Sequence, residues 1–121
     1  MANNYKENLK QKMNSLVHSI FQITKNFPRE ETYIATSQIK RAALSVILNY
    51  VEGFARFKKG NQLQFLEISY GSLKETKYLL EFSLQEKFLN NDNYNIAHKQ
   101  IDEIGAMLWT EIESLNKSIN N

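Results

Sequence analysis

Apolar residues recur at three- and four-residue spacing in four separate stretches, the pattern of amphipathic helices. The first stretch predicts a helix over residues 5–27, with apolar positions at Leu9, Met13, Leu16, Val17, Ile20, Ile23 and Phe27. Pro28 ends it, because proline cannot continue the hydrogen-bond ladder of a helix. The segment after Pro28 is a predicted connection, with room for one helical turn of its own.

The second stretch predicts a helix over residues 36–57, with Thr36 or Ser37 as its N-cap. Its apolar face comprises Ile39, Ala42, Ala43, Val46, Ile47, Tyr50, Val51 and Phe54. A turn at residues 58–61 should follow, in which Gly60 suits a left-handed cap. Asn61 and Gln64 then resemble a capping box at the start of a third helix over residues 61–88.

The third helix is apolar over an unusually wide arc. One cluster comprises Leu66, Leu73, Leu80 and Leu84, and a second, a third of a turn or more away, comprises Phe65, Ile68, Leu79 and Phe82. A helix with so wide an apolar surface buries more than one face. It is therefore either the central helix of a compact monomer, or its second cluster contacts another subunit and forms an oligomer face.

The fourth helix is predicted over residues 92–115, with Asn91 or Asp92 as its cap and a frayed tail from Asn116. Its apolar residues follow nearly heptad spacing, as in the seam of an antiparallel bundle. Four helices with short connections predict an all-α fold, an antiparallel up-down-up-down four-helix bundle. Residues 1–121 should form one domain.

Composition narrows the functional classes. The chain has no cysteine, so it cannot form a disulfide or a thiolate metal site. His18 and His98 lie on separate predicted helices, with no carboxylate at a metal-binding offset. With no nucleophile elbow and no phosphate loop either, we expect neither an enzyme nor a cofactor. No apolar run approaches the ~20 residues of a membrane span, so a cytoplasmic protein is expected.

Charge is unevenly distributed along the chain. Residues 1–60 hold ten Lys or Arg and four Glu, a net charge of +6, whereas residues 61–121 hold five Lys and nine Asp or Glu, a net charge of −4. This asymmetry indicates either an acidic partner such as nucleic acid, or attraction between the two halves within the fold and between subunits. The candidate nucleic-acid contacts are Lys40, Arg41, Arg56, Lys58 and Lys59, with Phe57 as a stacking surface.

Three glycines lie inside predicted helices, where glycine costs about 1 kcal/mol relative to alanine. They are Gly53, Gly71 and Gly105. Close approach of another helix is the expected reason, and backbone lining a ligand cleft is the alternative. Trp109 lies beside the heptad seam, where it either flanks the core or anchors a protein contact.

Several segments together resemble a known family. They contain Ser37-Gln38-Ile39-x-Arg41-Ala42-Ala43, then Asn49-x-x-Glu52-Gly53-x-x-Arg56, and finally Ser69-x-Gly71-Ser72-Leu73. In order and spacing the chain resembles the four-helix-bundle proteins encoded by intervening sequences in bacterial 23S rRNA genes. The family-motif positions are Asn49, Glu52, Gly53, Arg56, Gly71 and Ser72.

The resemblance implies an up-down bundle that forms a homopentameric ring, similar in fold to the accessory variability protein of diversity-generating retroelements. It implies no settled biochemical function. One hypothesis is a non-catalytic homo-oligomeric scaffold that contacts RNA or ribonucleoprotein through Arg41, Arg56, Lys58 and Lys59. The alternative is a protein-interaction module without nucleic-acid binding. Neither hypothesis includes a small-molecule substrate or a membrane partner.

Overall fold

The computed structural model describes the backbone of residues 2–120 and the side chains of residues 4–120, and within them four long helices are present. These are α1 (Ala2–Thr24), α2 (Ser37–Phe54), α3 (Lys59–Gln85) and α4 (Asn91–Asn120). A 3₁₀ turn at Arg29–Glu31 and a π turn at Thr32–Thr36 join α1 to α2. The predicted all-α four-helix fold is confirmed.

Each helix packs against its two neighbours, α1 and α3 lying next to both α2 and α4. The Nζ atom of Lys6, near the start of α1, lies 4.0 Å from the ring centre of Phe54 at the end of α2. Nearby, the hydroxyl of Tyr5 donates to the carbonyl of Met107, in the second half of α4, at 2.9 Å. Neighbouring helices are therefore antiparallel, which is the up-down arrangement that short connections favour.

The core runs along the centre of the bundle and contains one apolar stripe from each helix. Its fully buried large side chains include Leu9, Met13, Leu16, Ile20, Ile39, Val46, Tyr50, Leu66, Leu73, Leu80, Ile104 and Leu108. These residues recur at the spacing that defined the four predicted helices. Hydrophobic periodicity therefore identified the buried face of each helix correctly, apart from Val51, which the sequence placed in the core face of α2 and which is half-exposed.

The predicted helix ends are less accurate. Thr36 was expected to cap α2, but its backbone is already helical and its side chain makes no capping hydrogen bond. The preceding π turn continues directly into α2, so the first amides of α2 have carbonyl partners and need no cap. At the other end α2 stops at Phe54, three residues before the predicted end.

The turn between α2 and α3 also differs from the expectation. Lys58 is extended (φ −91°, ψ 134°) and precedes a helix that begins at Lys59, so the predicted cap and capping box at Gly60 and Asn61 are wrong. No glycine in residues 2–120 has a positive φ. Instead, the side-chain amide of Gln62, in the first turn of α3, donates to the carbonyl of Arg56 at 2.8 Å and so connects the turn to the start of α3.

The last connection ends at Asn90, whose Oδ1 accepts the amide of Asn93 at 2.8 Å. Asn90 is therefore the cap of α4, one residue before the candidates Asn91 and Asp92. The expected frayed tail is also wrong, because α4 continues as helix to Asn120.

Small residues bring α2 and α3 close together. A Cβ added at Gly53 would lie 3.2 Å from the carbonyl oxygen of Gln62 and 3.2 Å from the Cβ of Phe65. The expected close helix approach is thus confirmed at Gly53. A Cβ at Gly105 would meet its nearest atom at an ordinary 3.5 Å. At Gly71 no atom of the described residues lies within 4 Å, so the expected close helix approach is wrong at Gly71.

Candidate interaction surfaces

The side of α2 that faces away from the core is apolar. Leu44, Leu48 and Val51 follow one another at spacings of four and three residues, and 40%, 58% and 49% of their surfaces are exposed. At 100° per residue they lie opposite the buried Ala42, Ala43 and Val46. We call these three residues the outer α2 face.

The corresponding sides of the other helices are more polar. The exposed side of α1 presents Gln11, Asn14 and His18 together with Phe21, and that of α4 presents Asn95, Lys99 and Glu113 together with Ile96 and Trp109. On α3 the exposed Gln64, Glu67, Lys74 and Glu75 are interspersed with Ile68 and Tyr78. Among the described helices, α2 is the one with three exposed aliphatic side chains in successive turns, and such surfaces mark interaction sites.

Sequence reasoning missed the outer α2 face, although a signal for it was present. Leu44 and Leu48 lie four residues apart, and together with Val51 they form a second apolar stripe opposite the core stripe. Val51 was predicted to belong to the broad apolar face of α2, together with residues of the core. A helix with apolar residues on two opposite sides has one side available for another molecule.

The four residues of the predicted oligomer face do not form one uncovered surface. The guanidinium of Arg56 lies 4.8 Å from the ring centre of Phe65, and the ring of Phe82 packs edge-on against Phe88 at 6.3 Å. Leu79 packs against the core, and Ile68 is exposed. Their role in oligomerisation stays a prediction, and the larger exposed apolar surface lies on α2.

The candidate nucleic-acid contacts fall into two groups at opposite ends of α2. Lys40 and Arg41 lie in its first turns, whereas the other three cations follow its last residue, Phe54, which is about 20 Å further along the helix at the rise of 1.5 Å per residue. Lys40 lies over the ring of Phe21 at 4.6 Å, and Arg41 is 4.0 Å from Glu75. The structure therefore does not bring the five cations into a single site, and their contact with RNA stays a prediction.

At the α2–α3 turn, an exposed aromatic residue is adjacent in sequence to cationic residues. Phe57 is fully exposed between Arg56 and Lys58. Arg56 pairs with Glu52 one helical turn earlier, and the ammonium of Lys59 bonds to Ser118 near the end of α4. We call Arg56, Phe57, Lys58 and Lys59 the basic turn.

Three of the six family-motif positions, Asn49, Gly53 and Ser72, lie at the junction of α2 and α3, whereas Glu52, Arg56 and Gly71 are exposed. The side-chain amide of Asn49 donates to the carbonyl of Ser45 at 2.9 Å and to its hydroxyl at 2.8 Å, and that hydroxyl lies 2.7 Å from the hydroxyl of Ser72. Gly53 allows the close approach of α3. Helix packing therefore explains these polar and small residues without a catalytic role. They are Ser45, Asn49, Gly53 and Ser72.

A buried hydrogen-bond network joins three helices at the end of the bundle that contains the basic turn. The hydroxyl of Tyr50 on α2 donates to Glu111 on α4, and Lys6 on α1 pairs with the other carboxylate oxygen of Glu111 at 2.9 Å. Burial, followed by the hydrogen bond and the charge of Glu111, raises the pKa of Tyr50 far above its ordinary value. The tyrosine is thus neutral at physiological pH and serves as a fixed hydrogen-bond donor.

Ion pairs join the two oppositely charged halves of the chain. Lys6 with Glu111, Lys12 with Glu103 and Arg41 with Glu75 cross between residues 1–60 and residues 61–121. The hydrogen bond from Lys12 lowers the pKa of Glu103. The interpretation that the halves attract each other within the fold is therefore supported, although the exposed pairs of Lys12 and Arg41 contribute little stability.

Other classes of site have no counterpart in the described part of the chain. No three His, Asp or Glu side chains there are grouped so that they could hold a metal ion. None of the helices has the length and apolar character needed to cross a membrane. The molecule is instead characterised by two exposed surfaces, the outer α2 face and the basic turn.

Comparison with known proteins identifies the family. A family model described as 23S rRNA-intervening sequence protein matches residues 6–110. The chain belongs to this family. A crystal structure of a protein of unknown function from the S23 ribosomal protein family of Bacteroides thetaiotaomicron is similar in fold, with a TM-score of 0.83 and 21% identity over 90% of this chain and 98% of that one. No curated protein sequence matches the chain.

Proposed function

We propose that this member of the 23S rRNA-intervening sequence protein family is a non-catalytic helical scaffold that assembles with further copies of itself. The observation that carries the proposal is the outer α2 face, three aliphatic residues exposed in successive turns opposite the core, whereas the exposed apolar residues of the other described helices are spaced among polar ones. Burying such residues in an interface removes apolar surface from water, at a gain of roughly 25 cal/mol per Å².

Charge favours a second copy of the chain as the partner. Helices α1 and α2 lie within the half of net charge +6, and α3 and α4 form most of the half of net charge −4. Since α1 and α2 are adjacent in the bundle, one edge of each molecule is basic and the opposite edge is acidic. Opposite charge on two edges promotes association of the basic edge of one copy with the acidic edge of the next.

Such association uses two different surfaces and therefore generates a ring when the rotation between copies closes. The homopentamer implied by the family resemblance is an arrangement of this kind. We propose a pentamer on that resemblance, and a cytoplasmic location remains a prediction.

The test is the mass in solution of two matched variants. Leu48→Glu places a charge in the outer α2 face, at a side chain that is 58% exposed. Ile96→Glu places the same charge on α4, diagonally across the bundle, at a side chain that is 59% exposed. Size-exclusion chromatography with light scattering should give a lower mass for Leu48→Glu and the wild-type mass for Ile96→Glu. Equal masses for both variants and the wild type would contradict the use of α2.

A second candidate function is contact with single-stranded nucleic acid at the basic turn, favoured by the complete exposure of Phe57 among three cations. Stacking of a base on an aromatic ring contributes roughly 1–3 kcal/mol to the binding free energy, and cations bind the phosphates. Fluorescence anisotropy with labelled single-stranded RNA at ~50 mM salt should detect binding that falls with salt by about 0.7 in log K per contacted phosphate and per tenfold change in salt.

Two variants separate stacking from charge in this second candidate. Phe57→Ala should weaken binding and leave the salt slope unchanged, and Lys58→Glu should weaken binding and reduce the slope. No binding by the wild type under these conditions would contradict nucleic-acid contact. The protein-interaction scaffold without nucleic acid would then be the better description.

A further inference from the structure

A groove between α3 and α4 forms a second exposed feature with apolar walls. It has a volume of about 350 Å³, and its walls include Tyr70 and Trp109, whose ring centres are 5.6 Å apart. Trp109 is half-exposed, and Lys74 lies 5.2 Å from the ring centre of Tyr70 at the rim. We call this feature the α3–α4 groove.

Small residues keep the floor of the groove low. Gly105 and Ala106 both line it, and Ala106 is exposed. A Cβ at Gly105 would meet Leu73 at an ordinary contact distance of 3.5 Å, so packing within the chain does not require glycine there. Glycine inside a helix costs about 1 kcal/mol relative to alanine. Since no contact within the chain requires glycine at residue 105, the space that it leaves is explained if a side chain of another molecule enters the groove.

We infer that the α3–α4 groove receives the outer α2 face of a neighbouring copy, an inference that rests on the proposed self-association. Side chains four residues apart form a ridge along a helix, and ridges pack into the grooves of a partner. Leu44 and Leu48 form such a ridge, and Val51 extends it by almost one turn.

The positions of the two surfaces agree with this pairing. The outer α2 face lies opposite the core on α2, the helix that borders α1 and α3, and the groove lies between α3 and α4, so the two surfaces are separate. Each copy can therefore hold one neighbour on each side, as a ring requires. The groove is lined by both Lys74 and Asp102, and Arg41 near the ridge lies 4.0 Å from Glu75 of its own chain, so the electrostatic part of the pairing rests on the net charges of the two halves.

The test uses Trp109, which is the only tryptophan in the sequence. Docking of α2 covers its exposed half, so its fluorescence should shift to shorter wavelength and acrylamide should quench it less in the assembled wild type than in the dissociated Leu48→Glu variant. Equal quenching in assembled and dissociated protein overturns the groove assignment. A wild type with the mass of one chain overturns both the groove assignment and the self-association on which it rests.

A second pair of variants tests the groove without changing Trp109. Ala106→Arg fills the floor of the groove from an exposed position, and Asn95→Arg adds the same charge to an exposed part of α4 outside it. Ala106→Arg should raise the dissociation constant of the assembly by roughly tenfold or more, as loss of a central contact does, and Asn95→Arg should leave it unchanged. Equal dissociation constants for the two variants, with circular dichroism showing both folded, overturn the inference.

Discussion

Gly53 and Gly71 are the same residue type at two helix-interior positions with opposite surroundings. The sequence predicted close contacts for both, because the cost of glycine in a helix implies a compensating reason. Gly53 has that reason in the approach of α3, whereas Gly71 has open space within the described residues. Periodicity shows that a residue is inside a helix, but which neighbour it faces depends on the rotation of both helices.

Gly53→Ala is expected to destabilise the protein by about 1 kcal/mol. Its new methyl group meets a backbone oxygen and the Cβ of Phe65, both at 3.2 Å, and overpacking of this kind costs about 1–3 kcal/mol, partly offset by the better helix propensity of alanine. Urea unfolding measures the difference. Gly105→Ala is the control, and both variants are compared in the Leu48→Glu background, where no neighbouring copy occupies the α3–α4 groove. The methyl group at residue 105 then has an ordinary contact and should not destabilise, and equal losses in the two variants would show that steric approach at Gly53 is not the cause.

Gly71→Ala is expected to stabilise the folded chain by up to about 1 kcal/mol. No steric cost arises where the described residues leave open space, so the gain in helix propensity remains. The comparison is best made in the Leu48→Glu background, where assembly does not contribute to the thermal midpoint. A lower midpoint for Gly71→Ala would mean that the backbone of α3 at Gly71 has a contact that its surroundings do not indicate.

At the scale of the elements, hydrophobic spacing predicted the four helices, whereas their ends depended on features without a sequence pattern. A π turn leads into α2 where a side-chain cap was predicted at Thr36. Before α3, the extended residue is Lys58, whereas a capping box was predicted at Asn61. Backbone hydrogen bonds from adjacent turns satisfied these helix ends. Capping motifs therefore gave the positions of the helices to within a few residues and not their exact ends.

The network of Tyr50, Glu111 and Lys6 makes the packing of α1, α2 and α4 sensitive to alkaline pH. Because the pKa of Tyr50 is raised in the folded protein, its contribution to stability is complete below about pH 10, the value for an unfolded tyrosine. Above that pH the unfolded chain loses a proton that the folded protein keeps, so stability falls by about 1.4 kcal/mol per pH unit.

Tyr50→Phe removes this proton linkage. The free energy of unfolding, measured by urea between pH 9 and pH 11, should therefore fall less steeply with pH in Tyr50→Phe than in the wild type. Tyr78→Phe is the control, because Tyr78 is exposed. A slope for Tyr50→Phe equal to that of the wild type would contradict a buried neutral Tyr50.

At the scale of the whole molecule, the sequence predicted an excess of apolar surface on α3, whereas the structure also exposes a row of three aliphatic residues on α2. Residues just outside α3 cover part of its wide apolar arc, since Arg56 lies over Phe65 and Phe88 packs on Phe82. A helical projection of α3 alone contains neither contact. The same limit applied to Trp109, because its position beside Tyr70 in a groove depends on how α3 and α4 pack.

The family and the fold could be inferred from the sequence, because motif order and helix periodicity extend over most of the chain. The basic turn was anticipated as a group of charges, but not its separation from Lys40 and Arg41 at the other end of α2. Burial and charge now favour self-association, with the outer α2 face and the α3–α4 groove as the two surfaces that meet.

The most direct test of self-association is the mass of the wild-type protein at micromolar concentration, determined by light scattering after size exclusion. One chain has a mass of 14.2 kDa, so a pentamer of five such chains would have a mass of about 71 kDa. We predict a stable mass several times that of one chain, equal to the pentamer value if the family resemblance extends to ring size. A mass of 14.2 kDa would contradict the proposed assembly.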